Sequence, residues 1–226
     1  MPYTQTGTPP RSTPAGDGLV SRPKLFHRKK EHNMASSGKI YQIKVTLKYS
    51  KPPIWRRLLV SGDATLFQLH KIIQIAMGWT NSHLHQFIIA EEFYSIPSED
   101  DWEPVIDERK YRLAKVAPTE QAQFIYEYDF GDSWEHVIVV EKILPSDPKA
   151  KYPYCVKGKR ACPPEDVGGV WGFEEFLEAM KNPKHKEHES YVDWWGEVFD
   201  PEALDLDEIN QRLQDIDQID WWWEDL

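Results

Sequence analysis

One stretch near the middle of the chain, YEYDFGDSWEH at residues 126–136, brings carboxylates and an imidazole close together. Its alternation of residue types predicts a β-hairpin in which the central Gly-Asp pair forms a two-residue type II′ turn. In that register Glu127, Asp129 and His136 lie on one face of the hairpin. A carboxylate beside a histidine can fix the tautomer of the ring, raise its basicity or bind a metal ion with it. These three residues are therefore candidates for catalysis by proton transfer.

The opposite face of the same hairpin is predicted to belong to the core. Four aromatic side chains share it in the predicted register: Phe124, Tyr126, Tyr128 and Phe130. The polar face also has an alternative interpretation, in which an exposed cross-strand Glu–His pair is simply solvated and the turn aspartate caps backbone N–H groups. Hairpin geometry is compatible with both interpretations.

A second histidine-rich motif, HLHQF, places His83 and His85 two residues apart on a predicted strand. Side chains at that spacing project to the same face, so the pair can supply half of a metal site. His136 with Glu127 or Asp129 would complete a site for Zn²⁺, Mn²⁺ or Fe²⁺ if the strands are neighbours. The alternative is that His83 caps the preceding turn while His85 packs against an aromatic ring.

A weaker second cluster consists of Cys155, Cys162, His185 and His188. The cysteines do not have the CxxC spacing of a zinc knuckle, but the histidines of HKEH could complete a four-ligand set. Two alternatives stay open, namely a thiol activated by nearby basic residues, or two free thiols packed beneath a Pro-rich loop. Two cysteines are too few for a disulfide framework and fit a reducing, cytoplasmic location.

These side chains depend on a β-rich framework that begins at Lys39. Alternation predicts strands in KIYQIKVTLKYS and IWRRLLV. TLFQLHKIIQIAMG then has apolar residues at helical spacing, with Asp63 or Thr65 as the N-cap and Gly78 as the C-cap. HLHQFIIA follows as a strand, so the chain opens strand-strand-helix-strand. We therefore predict an α+β fold with a curved mixed or antiparallel β-sheet and a helical C-terminal section.

The predicted single domain covers residues 39–218 and is flanked by two segments of different composition. Residues 1–38 are rich in Pro, Ser and Gly, carry the basic run RPKLFHRKK and are predicted to form a disordered arm. Residues 219–226 form a Trp-rich acidic tail, which is a candidate contact for a protein partner. No apolar run reaches the ~18 residues of a membrane span, so no membrane association is expected.

The charge distribution limits the function classes. The formal net charge is −10, and Pro163–Leu226 carries 4 basic and 19 acidic residues. An acidic section of this size repels phosphate backbones. Nucleic-acid binding is therefore disfavoured, apart from a local role for the basic arm.

Six segments occur in a fixed order over residues 39–215: WRRLLV, HLHQF, YEYDFGDSWEH, CVKGKRACPPEDVGG, HKEH and FDPEALDLDEINQRL. Together they resemble the plasmid pRiA ORF-three-like family, whose members are also labelled insertion-element passenger proteins of TnpR type. The resemblance implies a small α+β sheet protein carried by mobile elements, with no assigned biochemical activity. The resolvase suggested by the TnpR label needs a nucleophilic serine, an arginine cluster and a basic DNA-binding segment, which the acidic C-terminal end does not fit.

Three hypotheses follow for the function. The leading one is a mobile-element-associated binding or interaction module with a polar pocket of five residues: His83, His85, Glu127, Asp129 and His136. The first alternative is a metal-dependent, hydrolase-like enzyme that uses the same pocket with a divalent metal such as Zn²⁺. The second is a nucleic-acid accessory protein that acts through the basic arm.

Overall fold

The computed structural model describes residues 38–98, 104–219 and 221 of the chain. The strands are β1 Lys39–Leu47, β2 Trp55–Ser61, β3 His85–Ile89, β4 Glu92–Ser95, β5 Ile106–Asp107, β6 Gln123–Tyr128, β7 Trp134–Pro145 and β8 Tyr154–Lys159. The helices are α1 Leu66–Met77, α2 Leu113–Val116, α3 Gly169–Lys181, α4 His188–Trp195 and α5 Leu206–Gln214, with 3-10 turns at Glu108–Lys110 and Ile216–Gln218. The predicted arm, apart from Gly38, and residues 220 and 222–226 of the predicted tail lie outside the described residues.

All eight strands form one mixed sheet in the order β5-β4-β3-β6-β7-β1-β2-β8. Neighbouring strands run antiparallel except for β4 and β5, which are parallel. The first elements along the chain are β1, β2, α1 and β3, and the last are α3, α4 and α5 followed by a 3-10 turn. The predicted α+β class, the strand-strand-helix-strand opening and the helical C-terminal section are therefore confirmed.

Helix α1 has start and stop signals that act within a few residues. The Thr65 hydroxyl accepts a hydrogen bond from the Gln68 N–H, and the Gln68 side chain accepts one from the Thr65 N–H, which forms a capping box. The helix ends at Gly78, whose φ of 100° is left-handed and strains residues other than glycine. The apolar side of α1, including Leu69 and Ile73, is buried in the core that it shares with the sheet.

One face of the sheet supplies most of that core. Buried and half-buried side chains alternate along β1, β6 and β7, as expected when successive side chains point to opposite faces. Fully buried residues on the inner face include Leu47, Tyr126, Trp134, His136 and Ile138. Two polar side chains of the predicted hairpin region, Tyr126 and His136, are thus inside the protein.

The β6–β7 hairpin differs from the predicted one by a single residue of register. Tyr126 pairs with His136, and Glu127 pairs with Glu135, whereas a two-residue turn would place Glu127 opposite His136. Because side chains alternate along a strand, this shift moves His136 to the buried face and leaves Glu127 on the other face. The predicted common polar face of Glu127, Asp129 and His136 is therefore wrong.

A longer loop, residues 129–133, replaces the predicted type II′ turn. Asp129 and Ser133 adopt left-handed backbone conformations, with φ of 58° and 50°. Asp129 Oδ1 accepts hydrogen bonds from the N–H groups of Gly131 at 2.9 Å and Asp132 at 3.4 Å, which satisfies the turn from within. Phe130, predicted in the core, lies in this loop and is 48% exposed.

The C-terminal helices pack through aromatic rings and cover one edge of the sheet. The ring centroid of Phe176 lies 5.3 Å from that of Tyr191 and 5.2 Å from that of Phe199. On α5, Asn210 Oδ1 accepts from the Cys155 N–H at 2.7 Å and Asn210 Nδ2 donates to the Cys155 carbonyl at 3.0 Å. These bonds protect backbone groups of the edge strand β8. No helix among the described residues is long and apolar enough to cross a membrane.

Candidate metal centre

Three loops meet at one end of the central strands: residues 78–84, residues 129–133 and residues 163–168. The Asp129 N–H donates to the Leu84 carbonyl at 2.8 Å, which joins the first loop to the second. The Gly168 N–H donates to Asp132 Oδ2 at 3.1 Å, which joins the second loop to the third. Hydrogen bonds therefore fix the loops to one another.

Tyr128, the last residue of β6, connects two of these loops to the sheet. Its hydroxyl oxygen accepts from the N–H groups of Ser82 at 2.8 Å and His83 at 3.3 Å, and its proton is donated to Glu165 Oε1. The Thr80 hydroxyl donates to the other oxygen of Glu165. Burial and the Glu165 carboxylate both raise the pKa of Tyr128, so its hydroxyl stays protonated and acts as a donor.

Left-handed backbone conformations are concentrated in the same loops. Four of the nine described non-glycine residues with positive φ lie there: Asn81, Asp129, Ser133 and Asp166. Such conformations are unfavourable for residues with a Cβ, persist only where surrounding contacts enforce them, and cluster at binding and active sites. The backbone thus indicates a candidate site independently of the side-chain chemistry.

Three side chains of types that can bind a metal ion, one from each loop, meet at this point. His83 Nε2 lies 3.2 Å from Asp166 Oδ1 and 3.7 Å from Asp129 Oδ2. One donor atom from each of the three residues lies within 4.8 Å of the others. Ligands bound at ~2.1 Å to a tetrahedral metal ion are about 3.4 Å apart, so both histidine distances fit a shared ion. We call these three residues the His–Asp–Asp cluster.

The donor atoms of the cluster are oriented by contacts around them. His83 Nε2 is buried, and within the described residues it makes no hydrogen bond of acceptable geometry despite the two nearby carboxylates. Asp129 Oδ1 accepts hydrogen bonds from N–H groups of its own loop, so Oδ2 is the oxygen near His83. Engaging one carboxylate oxygen and leaving the other available is a common way to orient a metal ligand.

Close packing explains the glycines that follow Asp166. A Cβ on Gly169, whose φ is 68°, would lie 2.6 Å from the Asp132 carbonyl oxygen. A Cβ on Gly172 would lie 2.0 Å from the Val167 carbonyl oxygen. Only glycine permits such approaches, so Gly169 allows the third loop to reach the hairpin and Gly172 allows the start of α3 to pack on Val167.

His83 and His85 do not share a site, contrary to the prediction. Strand β3 begins at His85, so the strand alternation does not extend to His83. The His85 ring stacks on that of His70, with centroids 3.4 Å apart and planes at 8°. Its Nε2–H donates to the two carboxylate oxygens of Glu108, at 3.0 and 3.1 Å. His85 therefore belongs to a buried polar network rather than to the His–Asp–Asp cluster.

His136 and Glu127 are separated both from the cluster and from each other. The fully buried His136 ring has centroid distances of 5.2 Å to Trp79 and 5.6 Å to Tyr126. Burial lowers its pKa to about 4, although the carbonyls of Tyr126 and Trp134 act in the opposite direction. Neither of its ring nitrogens makes a hydrogen bond of regular geometry within the described residues. Glu127, on the outer face, accepts a hydrogen bond from a β3 side chain at 2.7 Å.

The predicted Cys–His cluster is not assembled in the structure. Burial raises the pKa of both the Cys155 and the Cys162 thiol, which makes them weak nucleophiles and weak ligands. His188 hydrogen-bonds a carbonyl of α3, and His185 accepts from a neighbouring backbone N–H. Within the described part of the chain, the His–Asp–Asp cluster is the one group of His, Cys, Asp and Glu whose geometry suits a metal ion.

Asp166 is the cluster member that the sequence pattern did not indicate. The pair Gly168-Gly169, which follows it after Val167, is a recognisable signal for a tight loop. Nothing local, however, specifies that this loop meets the hairpin and the segment containing His83. The contacts that bring these segments together join residues that are far apart in the sequence.

The fold is that of an α+β protein with one mixed sheet, and its loops carry a His–carboxylate cluster. The chain belongs to the family described as plasmid pRiA4b ORF-3-like protein, whose model matches residues 39–208. The family resemblance seen in the sequence is thereby confirmed.

Two similar proteins agree with this membership. The Sinorhizobium fredii protein named "Uncharacterized protein y4hQ" is 37% identical over 179 residues, which cover 78% of this chain and 92% of that protein. The crystal structure of MM3350, a protein of unknown function from Methanosarcina mazei, has a TM-score of 0.68 and 40% identity, covering 75% of this chain and 96% of that one. Neither name states an activity, so the function has to be argued from the site.

Proposed function

We propose that this protein is a binding module built around one divalent metal ion held by His83, Asp129 and Asp166. The observation that carries the proposal is the position of His83 Nε2, which is buried without a regular hydrogen bond and lies 3.2 and 3.7 Å from aspartate oxygens. An ordinary ion pair directs the ring N–H at one oxygen, whereas a metal-binding imidazole directs its lone pair at the ion. The plasmid in the family description supports an association of this module with mobile elements.

The donor set favours particular metals. One imidazole and two carboxylates suit Zn²⁺, Mn²⁺ or Fe²⁺. With His83 neutral, the two aspartates contribute two negative charges, which a divalent cation would neutralise. Among the ion pairs of the described residues, neither aspartate is paired with a lysine or an arginine. The cluster therefore has the charge as well as the geometry of a cation site.

The surroundings of the cluster favour a metal that binds a further ligand. Three protein ligands leave coordination positions open, and Asp166 is exposed. Large exposed apolar side chains adjoin two of the ligands in sequence, Leu84 next to His83 and Phe130 next to Asp129. Exposed apolar residues around a polar centre are typical of interaction sites. These residues therefore support a metal ion that binds an external ligand, rather than a structural ion whose coordination positions are all filled by the protein.

Metal binding can be measured by calorimetric titration of chelator-treated protein with Zn²⁺ and with Mn²⁺. We expect one ion per chain for the wild type. His83→Ala should bind about 100-fold more weakly or not detectably, because the cluster loses one of its three ligands. Asp129→Asn should also weaken binding, since the amide lacks the negative charge of the carboxylate.

His185→Ala is the matched control, because His185 is half-buried and lies outside the cluster. This variant should bind metal as the wild type does. Circular dichroism of the metal-free proteins checks that each variant is folded. No stoichiometric binding by the wild type, or unchanged affinity in folded His83→Ala, would contradict the proposal.

The open coordination positions also favour a second candidate function, metal-dependent hydrolysis. Catalytic zinc sites combine three protein ligands with a bound water whose pKa falls to about 7. The measurement is release of p-nitrophenol from its acetate and phosphate esters by zinc-loaded protein. Turnover lost in His83→Ala and kept in His185→Ala would support hydrolysis. Metal binding without turnover would argue for the binding module alone.

A further inference from the structure

A cleft next to the loops of the metal centre has its own chemical character. It lies between the end of α1, residues 161–165 and the segment that joins α4 to α5, and has a volume of about 590 Å³. Its most distinctive lining residues are three aromatic and three acidic ones: Trp79, Trp195, Phe199, Glu197, Asp200 and Glu208. We call this feature the aromatic–acidic cleft.

One aromatic ring of the cleft is exposed, that of Trp195, whereas Trp79 and Phe199 are buried in its wall. Trp195 is 41% exposed, and its ring centroid lies 5.6 Å from that of Phe199 with the planes at 74°. The Trp79 indole N–H donates to the Pro163 carbonyl at 3.1 Å, which holds this ring in the cleft wall. The faces of aromatic rings carry negative electrostatic potential and attract cations.

The protein does not neutralise the acidic side chains of the cleft. No lysine, arginine or histidine is among the described residues that line it. Glu165, also in the lining, is already bonded by two hydroxyl groups. Glu197, Asp200 and Glu208 form no ion pair within the described part of the chain. The acidic C-terminal section adds to this negative potential and likewise favours a bound cation.

We propose that the aromatic–acidic cleft binds a small organic cation through an alkylammonium or guanidinium group. The carboxylates supply the opposite charge, and the exposed ring of Trp195 supplies a cation–π face, which favours an organic cation over a hydrated metal ion. The volume of the cleft falls within the range of small-molecule sites, about 300–1,000 Å³. This binding activity goes beyond the metal centre and uses none of its three ligands.

The same cation chemistry is found in free amines and in lysine side chains of peptides, so the test uses one probe for each source. The full chain is titrated calorimetrically at low ionic strength with putrescine and with Nα-acetyl-lysine methylamide, in the presence of a chelator that removes metal. Uncharged 1,4-butanediol is the control ligand. We expect saturable binding of at least one cation, weakened by added salt, and no binding of the diol. The cation that binds more tightly shows whether the ligand is a free amine or a lysine side chain.

Two variants test whether binding takes place in this cleft. Trp195→Ala removes a ring, and Glu197→Gln with Glu208→Gln removes two charges, so each should weaken binding about tenfold. Glu175→Gln with Glu178→Gln makes the same charge change at exposed positions of α3 outside the cleft lining, and should weaken it less than about twofold. No binding of either cation by the wild type, or equal weakening in the two double variants, overturns the proposal.

Discussion

Replacement of Glu108 by alanine is expected to lower the free energy of unfolding by about 3–5 kcal/mol. Glu108 is fully buried, and both of its carboxylate oxygens accept from His85 Nε2, at 3.0 and 3.1 Å. Without the carboxylate, the buried imidazole loses this acceptor and a cavity opens beside the stacked His70–His85 rings. The substitution also removes a link between the 3-10 turn Glu108–Lys110 and strand β3.

Chemical denaturation of Glu108→Ala at neutral pH measures this effect. Glu178→Ala, at an exposed position of α3, is the control and should change the stability by no more than about 0.5 kcal/mol. His85→Ala and the double variant complete a thermodynamic cycle, in which we expect a coupling energy of at least about 1 kcal/mol. Strictly additive effects of the two single substitutions would show that the buried pair does not stabilise the fold.

Acidification is the second perturbation with a large expected effect, about 3 kcal/mol of lost stability through His136 alone. Burial lowers the pKa of this imidazole in the folded protein from 6.5 to about 4. The unfolded chain therefore binds a proton at His136 as the pH falls below 6.5, while the folded chain stays neutral there until about pH 4. The stabilising contribution is complete above pH 6.5 and is lost as the pH falls towards 4.

The slope of unfolding free energy against pH in this range isolates the effect of His136. His136→Leu removes the titrating ring and keeps an apolar side chain, so its slope should be shallower than that of the wild type. His185→Leu, outside the core, should keep the wild-type slope. A constant loss of packing energy does not alter a slope, and His70, whose pKa burial also lowers, is present in all three proteins. Parallel profiles of the wild type and His136→Leu would contradict the assignment.

The buried network also supports the loop that contains His83. Gln74 Nε2 donates to the Tyr126 hydroxyl oxygen at 2.9 Å, and that hydroxyl and His70 Nδ1 are 2.8 Å apart. His70 Nε2 is in turn 2.8 Å from Asn81 Oδ1, which belongs to the loop at residues 78–84. The core polar groups thus hold one of the three loops that carry the His–Asp–Asp cluster, which links the stability of the interior to the order of these loops.

Local signals in the sequence were sufficient for the first four elements of the fold. Helix α1 follows from the spacing of apolar residues such as Leu69 and Ile73 between the caps Thr65 and Gly78. Caps and periodicity act over a few residues, so they can be recognised without knowledge of the rest of the chain. The alternation in β1 and β2 predicted strands for the same reason. The sequence by itself therefore determined the α+β class and the order of its first four elements.

Only the tertiary structure decided which polar residues meet. Alternation in β6 and β7 is compatible with either register, and the left-handed turn at Asp129 together with the burial of Trp134 and His136 selects the observed one. The loops that carry His83 and Asp166 are distant in sequence from the hairpin, and hydrogen bonds between loops bring them to it. Secondary structure is encoded locally, whereas a site built from separate loops depends on long-range contacts that no single stretch of sequence contains.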